Sequence, residues 1–252
     1  MDLGLKGRRA LVTGGSRGIG FATVRKLASE GANVRFCART QSDIDRAVDA
    51  CRDLPGQVTG GACNVSDSES LAQFILETAD MLDGLDIVVP NVSGGATPGQ
   101  AGWQSAVQTD LMGTVTTCEV ALPLIADTGG GAITVISSIS GLEQTGGVSA
   151  YGTVKSALIS YAAQLSETAV TQHVRVNSVS PGPIYIEDGF WGQVKRQNPE
   201  MYNAVEARHG SARLGTADEV ANVVAFLSSE AASWVTGTNV KVDGGFTKGI
   251  QF

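Results

Sequence analysis

Short runs of apolar, often β-branched residues alternate along the chain with longer stretches in which apolar positions recur every three or four residues. This alternation predicts strands followed by amphipathic helices, the pattern of a doubly wound α/β fold with a parallel sheet covered on both faces. Seven strands are predicted, at 9–13, 33–37, 57–62, 85–90, 131–137, 173–179 and 238–242. Six helices are predicted, at 18–30, 41–53, 67–83, 101–126, 149–171 and 216–229.

The domain organisation is predicted from the same alternation of strands and helices. No repeat and no Pro/Ser-rich linker interrupts it, so a single domain is expected over 1–252. Residues 183–215 break the pattern with a mixture of Gly, Pro, aromatic and charged residues, and a long excursion of this kind predicts a substrate lid. Its aromatic residues suit an apolar substrate, and they suit packing within the lid or at a subunit contact equally well; they are Tyr185, Phe190, Trp191 and Tyr202.

Composition and charge exclude several classes of protein and argue against several kinds of partner. A hydrophobic fraction of 42% with 32 glycines excludes a disordered chain, and the longest apolar runs are too short to span a membrane. With 18 basic and 25 acidic residues, the net charge of −7 argues against nucleic acid and anionic membranes as partners. Four scattered cysteines without a C-x-x-C pair predict no zinc site, and the N-terminus lacks signal-peptide character, so a reducing cytoplasm is expected.

A glycine loop, G-x-x-x-G-x-G at Gly14–Gly20, joins the first predicted strand to the first predicted helix. Glycines in this position let the helix N-terminus approach a pyrophosphate, which predicts a dinucleotide site. An NAD site usually has an acidic residue at the end of the second strand, whereas this chain has Arg39 followed by Thr40. Arg39, together with Arg17 in the loop, suits a 2′-phosphate, and the first 55 residues carry ten basic against six acidic residues. NADP(H) is therefore the expected cofactor.

Candidate acid–base residues lie in the second half of the chain. Tyr151 and Lys155 are four residues apart at the start of a predicted helix and so share one face. Ser138 ends a predicted strand, at the carboxyl edge of the sheet where α/β ligands bind. A phenol is a poor acid–base catalyst at neutral pH, but a nearby ammonium favours its phenolate form.

The chain resembles the short-chain dehydrogenases/reductases, in their compact single-domain branch that includes 3-oxoacyl carrier-protein reductases and bacterial ketoreductases. The resemblance covers essentially the whole chain and rests on motifs in the family's order: T-G-x-x-x-G-x-G from Thr13, Cys63-Asn64-Val65, Asn91-Val92-Ser93-Gly94, Ser138, Tyr151 with Lys155, Arg175-Val176-Asn177, Pro181-Gly182 and Val242-Asp243-Gly244-Gly245.

The resemblance implies a Rossmann-type sheet, a homotetramer, and hydride transfer between the nicotinamide and a carbonyl or alcohol carbon. Tyr151 would be the acid or base, Ser138 would orient the substrate oxygen, and Lys155 would hold the ribose and assist Tyr151. The implied cofactor-binding residues are Gly14, Ser16, Arg17, Gly18, Ile19, Gly20, Arg39, Thr40, Asn64, Val65, Asn91, Ser93, Tyr151, Lys155, Pro181, Gly182 and Ile184.

The chain departs from the family pattern at four places. Asp110 stands where the family usually has Asn, Asn64 replaces an Asp on the adenine side, N-V-S-G replaces N-N-A-G, and Ile186 occupies a usual Thr position. Asp110, the fourth candidate catalytic residue, would favour the charged lysine and weaken its pull on Tyr151. We expect activity with the basic limb of the pH profile displaced upward; the alternative is a catalytically impaired NADP-binding sensor.

The substrate prediction rests on charge. No Lys or Arg occurs between Arg52 and Lys155, so the residues flanking the expected site lack the basic patch that an acidic carrier protein would require. A small-molecule substrate is expected instead, namely an uncharged and apolar ketone, aldehyde or secondary alcohol. Reduction of a 3-oxoacyl thioester is the alternative.

Overall fold

A computed structural model describes residues 2–144 and 147–249. Its main feature is a parallel seven-stranded sheet. The strands are β1 (Arg9–Thr13), β2 (Asn33–Ala38), β3 (Val58–Ala62), β4 (Ile87–Val89), β5 (Gly131–Ile136), β6 (Val174–Pro181) and β9 (Asn239–Val242). They lie in the sheet in the order β3-β2-β1-β4-β5-β6-β9. Two short strands, β7 (Ile184–Tyr185) and β8 (Gly215–Thr216), pair separately and in parallel.

Nine α-helices connect or follow the strands in the described residues: α1 (Gly18–Ser29), α2 (Gln41–Asp49), α3 (Ser68–Leu82), α4 (Gly99–Ser105), α5 (Gly113–Asp127), α6 (Ala150–Ala169), α7 (Phe190–Gln197), α8 (Pro199–Arg208) and α9 (Ala217–Leu227). Local chemistry explains several of their starts. The Asp67 side chain accepts from the Ser70 N–H at the start of α3, and Thr216 and Glu219 form a capping box at the start of α9. Among the described residues, no helix is both long and apolar enough to cross a membrane.

The core consists of two apolar layers, one on each face of the sheet. Alternate residues of β4 show the division, since Ile87 and Val89 belong to one layer and Val88 belongs to the other. The first layer packs against α1, α2 and α9, and the second packs against α3, α5 and α6. Helices therefore cover both faces, as the hydrophobic pattern predicts.

The strand order reverses between β1 and β4, which are neighbours in the sheet. In a doubly wound fold the helices that follow these strands leave on opposite faces, and a crevice opens at the carboxyl ends of the strands. The segments that follow β1 and β4 both carry residues of the expected cofactor site. The fold thus brings those residues to one edge of the sheet.

All seven predicted strands are present, with ends shifted by up to two residues. The helix predicted at 101–126 extends over 99–127, but a π-helical turn at Ala106–Met112 separates α4 from α5. Residues 183–215 contain two helices and two short strands that the hydrophobic pattern does not predict. The two helices have only 8 and 10 residues, so each contains too few turns for a helical period to be recognised from sequence.

Candidate active site

The glycine loop turns sharply from β1 into α1. Gly18 has a φ of +57°, a left-handed conformation that glycine adopts without strain. A Cβ atom on Gly20 would lie 2.2 Å from the carbonyl oxygen of Gly14, so the loop closes only with glycine there. No side chain caps the first turn of α1, and that turn contains no acidic residue. Its N–H groups are therefore available to an anion, and the loop fits the pyrophosphate of a dinucleotide.

The basic residues expected at the adenosine end lie near this loop. The Gly15 N–H donates to the Cys37 carbonyl at 3.1 Å, which ties the loop to the carboxyl end of β2. Arg39 and Thr40 follow β2 directly, and Arg17 lies in the loop. Both arginines are exposed, and neither makes an ion pair within the part of the chain that is described. The Thr40 side chain does not cap α2, so its hydroxyl is also available to a ligand.

Two further segments contain residues of the expected cofactor site. Asn64 is exposed, and its Oδ1 accepts from the Ser66 hydroxyl at 2.9 Å. Val65 is buried in the second core layer. The Asn91 amide donates to the carbonyl oxygens of Thr13 and Gly14, at 3.0 and 3.2 Å. Asn91 therefore holds the glycine loop in place.

The turn that contains Ser138 packs on the first turns of α6. A Cβ on Gly141 would lie 2.7 Å from the backbone of Lys155, and the Ser156 hydroxyl donates to the Gly141 carbonyl at 2.6 Å. The Ser138 Oγ accepts from the Ser140 N–H at 3.1 Å, which leaves the hydrogen of the Ser138 hydroxyl available for a substrate oxygen. The structure thus brings the serine loop and the Tyr-Lys helix together.

Lys155 is buried although it carries a charge, with only 1% of its surface exposed. Its ammonium lies 3.1 Å from Oδ1 of Asp110, donates to the Ile136 carbonyl at 3.2 Å, and sits 5.5 Å from the centre of the Tyr151 ring. Asp110 is completely buried, and its other oxygen accepts from the Gly94 N–H at 2.6 Å. Asp110 therefore connects the lysine directly to the segment after β4.

The segment after β6 forms the remaining side of the cleft. Gly182 donates its N–H to Val242 at 2.9 Å, and a Cβ on it would lie 2.7 Å from Asp243. Ile184 is buried and pairs with Gly215 across the two short strands. Ile186 reaches the glycine loop, because its Cδ1 lies 3.1 Å from the position of a Cβ on Gly18.

Several contacts of the site were not predicted. The Ser137 hydroxyl donates to the carbonyl of Lys155 at 2.8 Å, Thr13 Oγ1 accepts from the Asn91 N–H at 2.9 Å, and the Gly94 N–H binds Asp110. Ser137 and Gly94 act through pairs distant in sequence, which no local pattern reveals. Within residues 183–215, Tyr185 and Tyr202 pack edge to face at 6.2 Å, so part of the aromatic content serves internal packing.

Comparisons with known proteins show which family the chain resembles. A family model described as "Enoyl-(Acyl carrier protein) reductase" matches residues 14–247. The chain is 36% identical over 257 residues to isoepoxydon dehydrogenase from Penicillium expansum, covering 100% of this chain and 99% of that protein.

Two solved structures have nearly the same fold. L-sorbose reductase from Gluconobacter frateurii, complexed with NADPH and L-sorbose, matches with a TM-score of 0.91 and 27% identity, over 99% of this chain and 100% of that one. A 7α-hydroxysteroid dehydrogenase complexed with NADH and 7-oxo glycochenodeoxycholic acid matches with a TM-score of 0.90 and 26% identity, over 97% and 96% of the two chains. With its glycine loop, its Ser-Tyr-Lys arrangement and these relatives, the chain belongs to the short-chain dehydrogenase/reductase family of oxidoreductases.

Proposed function

We propose that the protein uses NADP(H) to interconvert a small, apolar ketone or aldehyde and the corresponding alcohol. The observation that carries the proposal is the buried ammonium of Lys155 beside the Tyr151 ring, in the same cleft as an uncapped glycine-loop helix. A buried charge of this kind is costly and is typical of functional sites. The cofactor, when bound, supplies or accepts the hydride.

Three side chains transfer the proton, orient the substrate oxygen and bind the ribose. Tyr151 donates its phenolic proton to the substrate oxygen in reduction and accepts it back in oxidation. Ser138 donates a hydrogen bond to the same oxygen, since its Oγ already accepts from the Ser140 N–H. The Lys155 ammonium donates a hydrogen bond to the Ile136 carbonyl and forms an ion pair with Asp110. It has three N–H donors, so it can also donate to a ribose hydroxyl.

The other proposed cofactor contacts follow from the placement of the loops. The first turn of α1 holds the pyrophosphate through Gly18, Ile19 and Gly20, with Ser16 beside it. Asn64 and Val65 border the adenine, and Asn91 and Ser93 border the nicotinamide side. The segment Pro181–Ile184 contacts the carboxamide end, where Ile186 offers no hydroxyl to donate or accept a hydrogen bond.

The cofactor preference is tested by measuring kcat/KM with NADPH and NADH. We expect a preference for NADPH, because Arg17 and Arg39 have no carboxylate partner among the described residues. Arg39→Asp should lower kcat/KM for NADPH by about 10- to 100-fold, the value of a charge-assisted contact to phosphate. Arg52→Asp, the same change at an exposed arginine that pairs with Asp49, serves as the control. A wild-type preference for NADH would refute the proposal.

The substrate class is tested with a panel of small ketones, aldehydes and secondary alcohols beside a 3-oxoacyl carrier-protein thioester. We expect higher kcat/KM for the small compounds, since the chain has no cation between Arg52 and Lys155 to attract an acidic carrier. A much higher value for the carrier-bound thioester would favour the alternative. Binding of NADPH without single-turnover hydride transfer would favour a sensor in which Asp110 has impaired catalysis.

The proposal includes one catalytic domain over 1–252, a lid at 183–215, a homotetramer and a cytoplasmic location. Exposed apolar side chains support assembly: Trp103 and Val107 are each 40% exposed, and Trp234 is 99% exposed. Light scattering should give a mass near four times 26.0 kDa. A monomeric mass would contradict this part of the proposal.

A further inference from the structure

After β9 the chain folds into a compact turn over residues 243–249, called the 243–249 turn below. The Asp243 carboxylate holds this turn together. It accepts from the Gly245 N–H at 3.0 Å, and from the N–H and hydroxyl of Thr247 at 3.0 and 2.6 Å. Phe246 and Thr247 are buried, so the turn packs against the rest of the protein. The mechanism proposed above uses none of these side chains.

One side of the 243–249 turn contacts the proposed lid. The centre of the Phe246 ring lies 4.8 Å from the centre of the His209 ring and 4.1 Å from the guanidinium carbon of Arg208. Arg208 is the last residue of α8, and His209 follows it directly. The rings of Phe246 and His209 belong to residues that are only 6% and 5% exposed. The end of α8 is therefore fixed by its packing on the 243–249 turn.

The other side of the 243–249 turn contacts the turn that begins at Ser138. Oε1 of Glu143 accepts from the N–H groups of Lys248 and Gly249, at 3.1 and 3.0 Å. The backbone N–H of Glu143 donates to the Ile139 carbonyl at 3.0 Å, so Glu143 is part of the hydrogen-bonded turn that contains Ser138. Hydrogen bonds to a carboxylate are stronger than hydrogen bonds to a neutral acceptor. Glu143 therefore joins the serine turn to a segment that is distant in the sequence.

We propose that Glu143 is a positioning residue for substrate binding: through the 243–249 turn it holds the end of the lid next to the serine turn. The inference rests on the proposed function. Ser138 itself has a separate anchor, because the Ser156 hydroxyl donates to the Gly141 carbonyl at 2.6 Å and so fixes the serine turn on α6. Loss of the Glu143 contacts therefore releases the 243–249 turn and the end of the lid, and it leaves Ser138 in place.

This arrangement predicts an effect on substrate binding and not on the chemical step. In the proposed site the substrate lies between the serine turn and the lid, so a loosened lid weakens substrate binding and raises KM. Tyr151 and Lys155 lie on α6, and the contacts of Lys155 with Asp110 and Ile136 do not involve Glu143. The value of kcat should therefore change little.

The first test measures the kinetics of the full-length protein with NADPH and two uncharged apolar ketones, cyclohexanone and acetophenone. Glu143→Ala removes the acceptor of both N–H groups; we expect KM for the ketone to rise about tenfold and kcat to change by less than about threefold. Glu143→Gln keeps an accepting oxygen and should stay within about threefold of the wild-type KM. Glu77→Ala is the matched control, because it removes an exposed carboxylate of α3 that accepts from Gln73; it should change neither constant.

The second test needs no substrate. Trypsin cleaves after an exposed arginine when the surrounding chain opens, and Arg208 is exposed at the end of the lid. Glu143→Ala should speed cleavage after Arg208 about tenfold and leave cleavage after the exposed Arg52 unchanged, which separates local opening from a general loss of stability. Gly249→Pro removes one of the two N–H donors and leaves Glu143 intact. It should raise the same KM and the same cleavage rate.

The outcomes separate the two proposals. If the wild type reduces the ketones but Glu143→Ala changes neither KM nor cleavage after Arg208, the inference is overturned and the proposed function stands. The inference is also overturned if Glu143→Gln behaves as Glu143→Ala does, or if cleavage after Arg52 rises equally. If the wild type reduces neither ketone, the proposed function fails for this substrate class and the effect on KM fails with it. The trypsin measurement then still decides whether Glu143 holds the end of the lid.

Discussion

Replacing Asp110 by Asn would test how this chain holds its lysine. The carboxylate binds the ammonium of Lys155 through Oδ1 at 3.1 Å and the N–H of Gly94 through Oδ2 at 2.6 Å, and both charged side chains are buried. Asn has nearly the same shape, but it is neutral and has one accepting oxygen. The substitution therefore removes the negative charge. It also replaces one hydrogen-bond acceptor by an amide NH₂ group, a donor that would face the Lys155 ammonium or the Gly94 N–H, which are donors themselves.

The magnitude follows from the distance and the burial. At an effective dielectric constant of about 20, two unit charges 3.1 Å apart attract by about 5 kcal/mol, and desolvation offsets much of this. Breaking a buried pair from one side costs about 3–5 kcal/mol, and the oxygen that Asn retains recovers part of it. We expect Asp110→Asn to lower the free energy of unfolding by about 2–4 kcal/mol.

Two assays read out the change. Urea unfolding at fixed protein concentration measures stability, and the pH dependence of kcat/KM reports the catalytic effect. Without the carboxylate, the ammonium of Lys155 stabilises the Tyr151 phenolate more strongly, so the basic limb should move to lower pH. Asp127→Asn, the same change at an exposed position that ends α5, should alter neither quantity.

The results distinguish a catalytic from a structural role for Asp110. Lower stability with an unchanged pH profile would restrict Asp110 to holding the fold. An unchanged profile and unchanged stability together would refute the reasoning, because a buried carboxylate in contact with an ammonium cannot be neutralised without one of these effects.

Two further predictions concern the amino edge of the sheet and the glycine loop. Burial alone would raise the pKa of Asp86, but hydrogen bonds from the side chain and backbone of Arg9 hold it below its usual value; Asp86→Asn should cost about 2 kcal/mol in urea unfolding at pH 7. Because the folded pKa is depressed, this contribution is complete above the unfolded pKa of about 4 and should disappear as the pH falls through the folded value; a difference that persists at lower pH would contradict the assignment. Gly20→Ala should lower stability by about 1–3 kcal/mol and weaken NADPH binding, because the new Cβ would clash with a backbone carbonyl of the loop. Gly210→Ala, with nothing within 4 Å of the new Cβ, is the control, and equal effects of the two changes would refute the steric argument.

Most of the fold could be predicted from local sequence patterns. The alternation of apolar runs predicts all seven strands, because each buried strand needs a continuous apolar segment and each covering helix needs an apolar stripe. The helices α7 and α8, within residues 183–215, were not predicted because they are short and of mixed composition. The π-helical turn at Ala106–Met112 was not predicted either, because one extra residue in a turn hardly changes the spacing of the apolar positions.

The sequence by itself determined the chemical groups of the site: the glycine loop, Tyr151 with Lys155 on one helical face, and Ser138 at the end of a strand. Within each of these motifs the residues are close together in the sequence, so the sequence pattern is enough to predict them. Only the tertiary structure decided what surrounds Lys155. Asp110 contacts it from another helix. The Gly94 N–H binds Asp110 from the segment after β4, and the Ile136 carbonyl binds Lys155 from the end of β5. Such contacts depend on how elements distant in the chain pack, and a sequence pattern does not specify the resulting distances.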